Sequence, residues 1–190
     1  AIGVAAVVVL TALGDGARRY VVGQFSSLGT NLVIVLPGRS GTGGFNPANA
    51  ITSTPRDLTI DDAANLRRLP HVRRVAPLAV GTSEMAFGGK LREVIVAGST
   101  AEFIPIRNFE LTQGKALPEE DWNHGSSVAI IGAKLREELF GATPALGQLI
   151  RVGDRRLRVI GVLKATGQGL GMNTDELVIV PVALAQAMFN

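Results

Sequence analysis

Cysteine is absent from the 190-residue chain, which excludes disulfides, thiol nucleophiles and every cysteine-containing metal site. The absence permits export to an oxidising compartment without demonstrating it. Aromatic residues are scarce, at 5% with one Trp and one Tyr, so the stacking platforms of single-strand nucleic-acid readers are missing. The net charge of +3 does not make a duplex reader either. Its basic residues come in short pairs (Arg18/Arg19, Arg67/Arg68, Arg73/Arg74, Arg155/Arg156) with acids interspersed, not as one stripe. No nucleic-acid partner is expected. Histidine is limited to His71 and His124, too far apart for a helical i, i+4 pair, whereas a zinc site needs several ligands. No metal and no cofactor is expected.

Motifs for catalysis are missing as well. Gly38-Arg-Ser-Gly-Thr-Gly-Gly44 follows an apolar run but lacks the Gly-Lys-Ser/Thr ending of a phosphate loop, and no helix starts directly after it. Gly167, Gly169 and Gly171 have the wrong spacing for a dinucleotide fingerprint and precede a strand pattern. Ser126 and Ser127 lie near His124 without a Gly-x-Ser-x-Gly elbow. The acids Asp61/Asp62 and Glu119/Glu120/Asp121 read as helix-start charges, not as a catalytic pair. The domain is therefore expected not to be an enzyme.

What is abundant is apolar residue, at 46% against 18% charged, enough for a sizeable core. Much of it stands first. Residues 1–13 (AIGVAAVVVLTAL) are apolar except Thr11, which is short of the about 20 residues a membrane helix needs. No basic n-region precedes them, so a signal peptide fits less well than the outgoing half of a transmembrane helix. From Asp15 to Ser27, Ala17, Tyr20, Val21 and Phe25 fall on one helical side, as an amphipathic stalk would place them.

Beyond the stalk, Asn31–Leu36 reads as a buried strand, and Gly38–Arg56 as a long polar loop. Thr59 is a candidate N-cap for a helix to about Leu69, with Ala63, Leu66 and Leu69 as its buried stripe. Val72–Phe87 and Leu91–Ala97 read as strands around the hairpin dipeptide Gly88-Gly89, giving a βαβ-like unit over 31–86. Thr100–Arg107 holds a short helix, Phe109–Lys115 is turn-rich, and Pro118–Asp121 resembles a helix start. Strands are expected over Ser127–Gly132, Gln148–Val152, Arg155–Leu163 and Glu176–Val180, with helices over Ala133–Phe140 and Val182–Phe189.

An ordered set of short motifs runs through nearly the whole chain. Gly14-Asp-Gly-Ala-Arg-Arg19 follows the apolar run, and Ser27-Leu-Gly-Thr-Asn-Leu32 precedes the first strand. Then come Thr59-Ile-Asp-Asp62, Leu69-Pro70, Val75-Ala-Pro77, Gly114 and Glu120-Asp121. Val128–Gly132, Glu138-Leu-Phe-Gly141, Gly147-Gln148, Val159-Ile-Gly-Val-Leu163, Asp175 and Val180-Pro181 complete it. In this order the chain resembles the extracytoplasmic core domain of MacB/FtsX-type ABC transporter permeases. The resemblance implies an α+β fold of two lobes: a porter-like βαβ lobe from both chain ends (31–86 plus 173–190) and an inserted β-rich sabre-like lobe (87–172). Residues 1–30 would be the end of the first transmembrane helix and the stalk.

The same resemblance implies a place on the periplasmic or extracellular side of the inner (cytoplasmic) membrane, and a role in coupling ATP-driven helix movement to export or partner docking. Implied partners are a cytoplasmic ABC ATPase domain or subunit, a second permease copy, the membrane through flanking helices, and a periplasmic adaptor with an outer-membrane channel. A sensor or receptor ectodomain for a small ligand or peptide is the alternative. For partner contacts the sequence offers Trp122, in a polar setting, Phe45 in the long loop, and Phe87 and Lys90 at the hairpin tip.

Overall fold

The computed structural model describes residues 32–37, 58–166 and 174–189. The apolar run, the stalk, the long loop with Phe45 and the connector at 167–173 lie outside them.

Thr59 starts the first helix through a reciprocal capping box. Its hydroxyl accepts from the Asp62 amide at 3.2 Å, and the Asp62 carboxylate accepts from the Thr59 amide at 2.9 Å. This fixes α1 at Ile60–Leu66, but none of its residues is buried, and Leu69 beyond it is exposed. The expected buried stripe is corrected here. One alanine and two leucines offer too little apolar area to compete with the Val/Ile-rich strands for the core. The expected strand over Asn31–Leu36 is corrected too. Residues 32–36 pair with no described strand, and Val33 and Ile34 are 82% and 66% exposed.

The sheet begins with β1 (Ala79–Phe87) and β2 (Lys90–Ser99), an antiparallel ladder running from Ala79↔Gly98 to Phe87↔Lys90. Gly88 and Gly89 supply the positive φ values, +58° and +81°, that a tight hairpin needs. β1 starts at Ala79, not Val72, since His71 is left-handed at φ 72° and Pro77 has no N–H for a ladder. Then come α2 (Phe103–Ile106), β3 (Leu111–Gly114), β4 (Val128–Ile131) and α3 (Ala133–Leu135), which widens into a π turn over Arg136–Phe140. The remaining elements are β5 (Leu149–Val152), β6 (Arg155–Leu163), a 3-10 turn at Thr174–Glu176, β7 (Leu177–Pro181) and α4 (Val182–Phe189).

Strand order is β3-β6-β4-β7-β2-β1-β5, and β5 pairs with β6 as well as with β1. The sheet therefore closes on itself as a ring, β6-β4-β7-β2-β1-β5, with β3 added along the later residues of β6. Two neighbours are parallel, β2/β7 and β4/β6. Closure leaves no strand of the ring at a sheet edge, and β3, paired with β6 alone among the described strands, keeps one.

Every strand of the ring sends one face into a single apolar cluster that includes Met85, Val96, Ile131, Ile150, Leu157 and Val178. Leu135 and Phe140 from the α3 region and Leu184 and Ala185 from α4 join it. A second cluster sits on the opposite face, where Phe103 of α2 and Leu117 cover Ala97, Ile130, Leu177 and Ile179. With both faces covered, β7 is buried at every position, which is why its sequence runs Leu-Val-Ile-Val without alternation. The fold is α+β and sheet-dominated, and strands from 31–86, 87–172 and 173–190 share the one sheet.

Candidate functional site

Trp122 stands at the rim of an open cleft of about 190 Å³ between the end of α1, the β2–α2 turn, the 117–124 loop and the start of α4. The loop builds the position itself. Asp121 accepts from the backbone and side-chain amides of Asn123 at 3.0 and 3.3 Å, and the His124 amide donates to the Asp121 carbonyl at 2.9 Å. The Glu120 carboxylate takes the Ser126 amide at 3.0 Å. Two of the three acids expected to start a helix at Pro118–Asp121 are thus spent on loop amides, and a turn forms instead.

Across the cleft the Arg67 guanidinium lies over the Trp122 ring, 5.3 Å from its centroid, and Arg74 pairs with Glu102 at 3.4 Å. A cation–π contact at a half-buried ring contributes roughly 0.5–1 kcal/mol and ties α1 to the loop. The cleft wall combines Trp122 with four carboxylates, Glu102, Glu119, Glu120 and Asp121. Such a wall suits contact and orientation. The Ser126 hydroxyl is buried without a hydrogen-bond partner among the described residues, so it is not bonded to His124. Among the described residues no group of three His, Asp or Glu is placed to hold a metal ion.

The hairpin-tip candidates are engaged with the fold. Phe87 packs against the inner cluster with its ring stacked on Phe140, centroids 4.1 Å apart. The Lys90 ammonium donates to the Glu138 carbonyl at 2.8 Å. Phe45 lies outside the described residues. The fold thus brings Phe87 and Lys90 together at the π turn and leaves Trp122 in a separate loop.

Sequence reasoning missed a charge network behind the tip. Arg92 of β2 pairs with Glu138 of the π turn and with Glu176 before β7, the latter at 2.9 Å, and Lys134 reaches Glu176 at 2.5 Å. The only sequence signal is Lys134–Glu138 at i, i+4, since the other partners are far apart along the chain. The Lys134 hydrogen bond, helped by the charge of Arg92, holds the Glu176 carboxyl below its ordinary 4.5. Lys164, 2.6 Å from Glu110, does the same there.

A carboxyl lowered in the folded state binds its proton more weakly than in the unfolded chain. This stability is present above the ordinary glutamate value and is lost as pH falls through the lowered values. The melting temperature is expected to drop on acidification below about pH 4.5, and less steeply in Lys134→Met/Lys164→Met than in the parent. Identical pH profiles would show that neither pair contributes.

A family model described as MacB-like periplasmic core domain matches residues 1–190. The chain belongs to this family. It is 35% identical over 188 residues to the macrolide export ATP-binding/permease protein MacB 1/2 of Paracoccus denitrificans (strain Pd 1222), covering 99% of this chain and 27% of that protein. It is 33% identical over 187 residues to the pyoverdine export ATP-binding/permease protein PvdT of Pseudomonas entomophila (strain L48), covering 97% and 27%. The chain thus spans about a quarter of the length of these curated relatives. The crystal structure of the periplasmic region of MacB from Actinobacillus actinomycetemcomitans shares the fold, with a TM-score of 0.65 at 19% identity over 77% of this chain and 65% of that one. No described helix of this MacB-like domain is long and apolar enough to cross a membrane.

Proposed function

We propose that this MacB-like domain is the periplasmic part of an ABC transporter permease of the inner membrane, and that it couples ATP-driven helix movement to export through docked partners. The carrying observation is the closed ring of six strands with a continuous core, a body stiff enough to pass on a displacement applied at one end. The inferred partners are a cytoplasmic ABC ATPase domain or subunit, a second permease copy, and an adaptor with an outer-membrane channel. Relatives of similar identity named for macrolide and for pyoverdine export support an export role.

The porter-like (31–86 plus 173–190) and sabre-like (87–172) lobes belong to the same proposal. Since one sheet runs through both, they would move as a body, without a hinge. Trp122 is the partner contact carried forward, being half-buried at a rim. The receptor alternative is not favoured, since the two clefts found among the described residues are open and do not enclose a ligand.

The test is transport by the full-length permease with this domain deleted. Export is expected to fall to background while nucleotide hydrolysis persists. Full export by the deleted protein would sink the proposal.

A further inference from the structure

Across the neighbouring strands β2, β1, β5 and β6, register aligns Leu91, Ala86, Arg151 and Arg156 in one row. Met85, Val152 and Leu157, each one residue along, are fully buried, so the row points to the outer face. Arg151 and Arg156 stand directly opposite each other, and Arg158 faces Leu149 on the same side of the sheet. All three arginines are exposed, and none makes an ion pair with a described residue. On β1 and β2 the adjoining row sets Glu84 opposite Glu93, again exposed and alike in charge. Like charges directly opposite on a sheet work against folding. Among the described residues nothing offsets the repulsion within either row.

The two rows make the face bipolar, basic on β5 and β6 and acidic on β1 and β2. Beside them runs a shallow groove of about 320 Å³, lined by Ala86 and Leu149, rimmed by Arg151 and Arg156, and ended by Gly88-Gly89. Leu149 and Leu91, 57% and 56% exposed, add apolar surface beside the charged rows.

We infer that this face is a docking surface for an acidic segment of a partner protein that also carries an apolar side chain. Paired guanidinium groups one strand apart offer a fork to carboxylates, which they bind bidentately. The apolar side chain fills the groove against Leu149. Glu84 and Glu93 repel a ligand acidic along its whole length, so the segment is oriented with its acids toward β6. A nucleic acid meets the same repulsion and finds no exposed aromatic platform on this face. The inference stands on the sheet face itself and holds whether or not the domain transmits movement.

The test is fluorescence anisotropy of the full chain with a labelled short peptide that carries Glu and Leu in one half and only uncharged Gln and Ser in the other, and with its Lys/Leu counterpart. The Glu/Leu peptide is expected to bind, and Arg151→Gln/Arg156→Gln to raise its Kd roughly tenfold or more, with the effect fading at high salt. Arg68→Gln/Arg73→Gln, the same charge change on another surface, is expected to leave the Kd within about twofold. Arg151→Gln/Arg156→Gln is also expected to melt no lower than the parent, as the repulsion is relieved. Equal weakening by both double variants, tighter binding of the Lys/Leu peptide, or a lower melting temperature of Arg151→Gln/Arg156→Gln would overturn the inference. Self-association of the chain that this double variant abolishes would overturn it too, in favour of a second copy as occupant.

Discussion

Gly132→Ala is expected to destabilise the domain by more than about 3 kcal/mol, the upper range for overpacking a filled site. The backbone at Gly132, φ −68° and ψ 159°, is open to any residue, so conformational strain is not the cause. The cause is space. A Cβ there would stand 2.3 Å from the Asp175 carbonyl oxygen, 2.5 Å from its carbon and 2.5 Å from the Thr174 carbonyl oxygen. These are main-chain atoms, and no rotamer change moves them. Relief requires the 174–176 turn to retreat from β4, where the Gly132 amide donates to the Leu177 carbonyl at 2.8 Å. That retreat would draw Glu176 away from Arg92 and Lys134 and weaken the β4–β7 pairing at the centre of the ring. Urea denaturation measures the loss, with Gly88→Asn as the contrast. Gly88 has φ +58° and nothing within 4 Å of its added Cβ, and asparagine tolerates that conformation, so a cost below about 1 kcal/mol is expected. A Gly132→Ala midpoint near the parent's would show that the 174–176 turn is free to move.

The contrast between these glycines also marks what a sequence can reveal. Gly88-Gly89 was legible as a turn because the signal is local: two residues without Cβ between strand patterns. Gly132 looks like any glycine after a strand, and its constraint comes from a segment more than 40 positions downstream. The same distinction runs through the fold. Val128–Ile131, Leu149–Val152 and Leu177–Pro181 were readable because Val/Ile runs bounded by turn residues form strands wherever they find cover. β3 was not, because Leu-Thr-Gln-Gly is short and largely exposed, and it exists only because β6 offers it backbone partners. Residues 33–36 show the converse, with strand composition and no described strand beside them. Closure of the ring depends on β5 using both edges, a property no local pattern encodes. At the candidate site Trp122 was legible as a half-exposed aromatic in a polar stretch. Its contact with Arg67 was not, because Arg67 reads equally well as a favourable charge at a helix C-terminus.

Phe140→Ala is expected to cost about 3–5 kcal/mol, as truncation of a buried aromatic does. Phe140 is 4% exposed and ends the π turn, whose wider winding accompanies burial of both Leu139 and Phe140. Its ring, inclined 26° to Phe87, joins this turn to the tip of the β1–β2 hairpin, and Lys90 makes the second tie through the Glu138 carbonyl. Phe87→Ala should cost less, since Phe87 is only half-buried. A double-mutant cycle should assign about 0.5–1.5 kcal/mol to the ring pair itself. The hairpin tip also ends the groove beside Arg151 and Arg156. Loosening the tip should therefore weaken binding of the acidic peptide, even though every arginine is intact and Phe140 lies on the inner face. Measured where Phe140→Ala is still folded, a several-fold rise in Kd would show that the stack holds the groove in shape. An unchanged Kd would show that the arginine row alone sets the affinity, with the tip contributing stability to the ring and nothing to recognition.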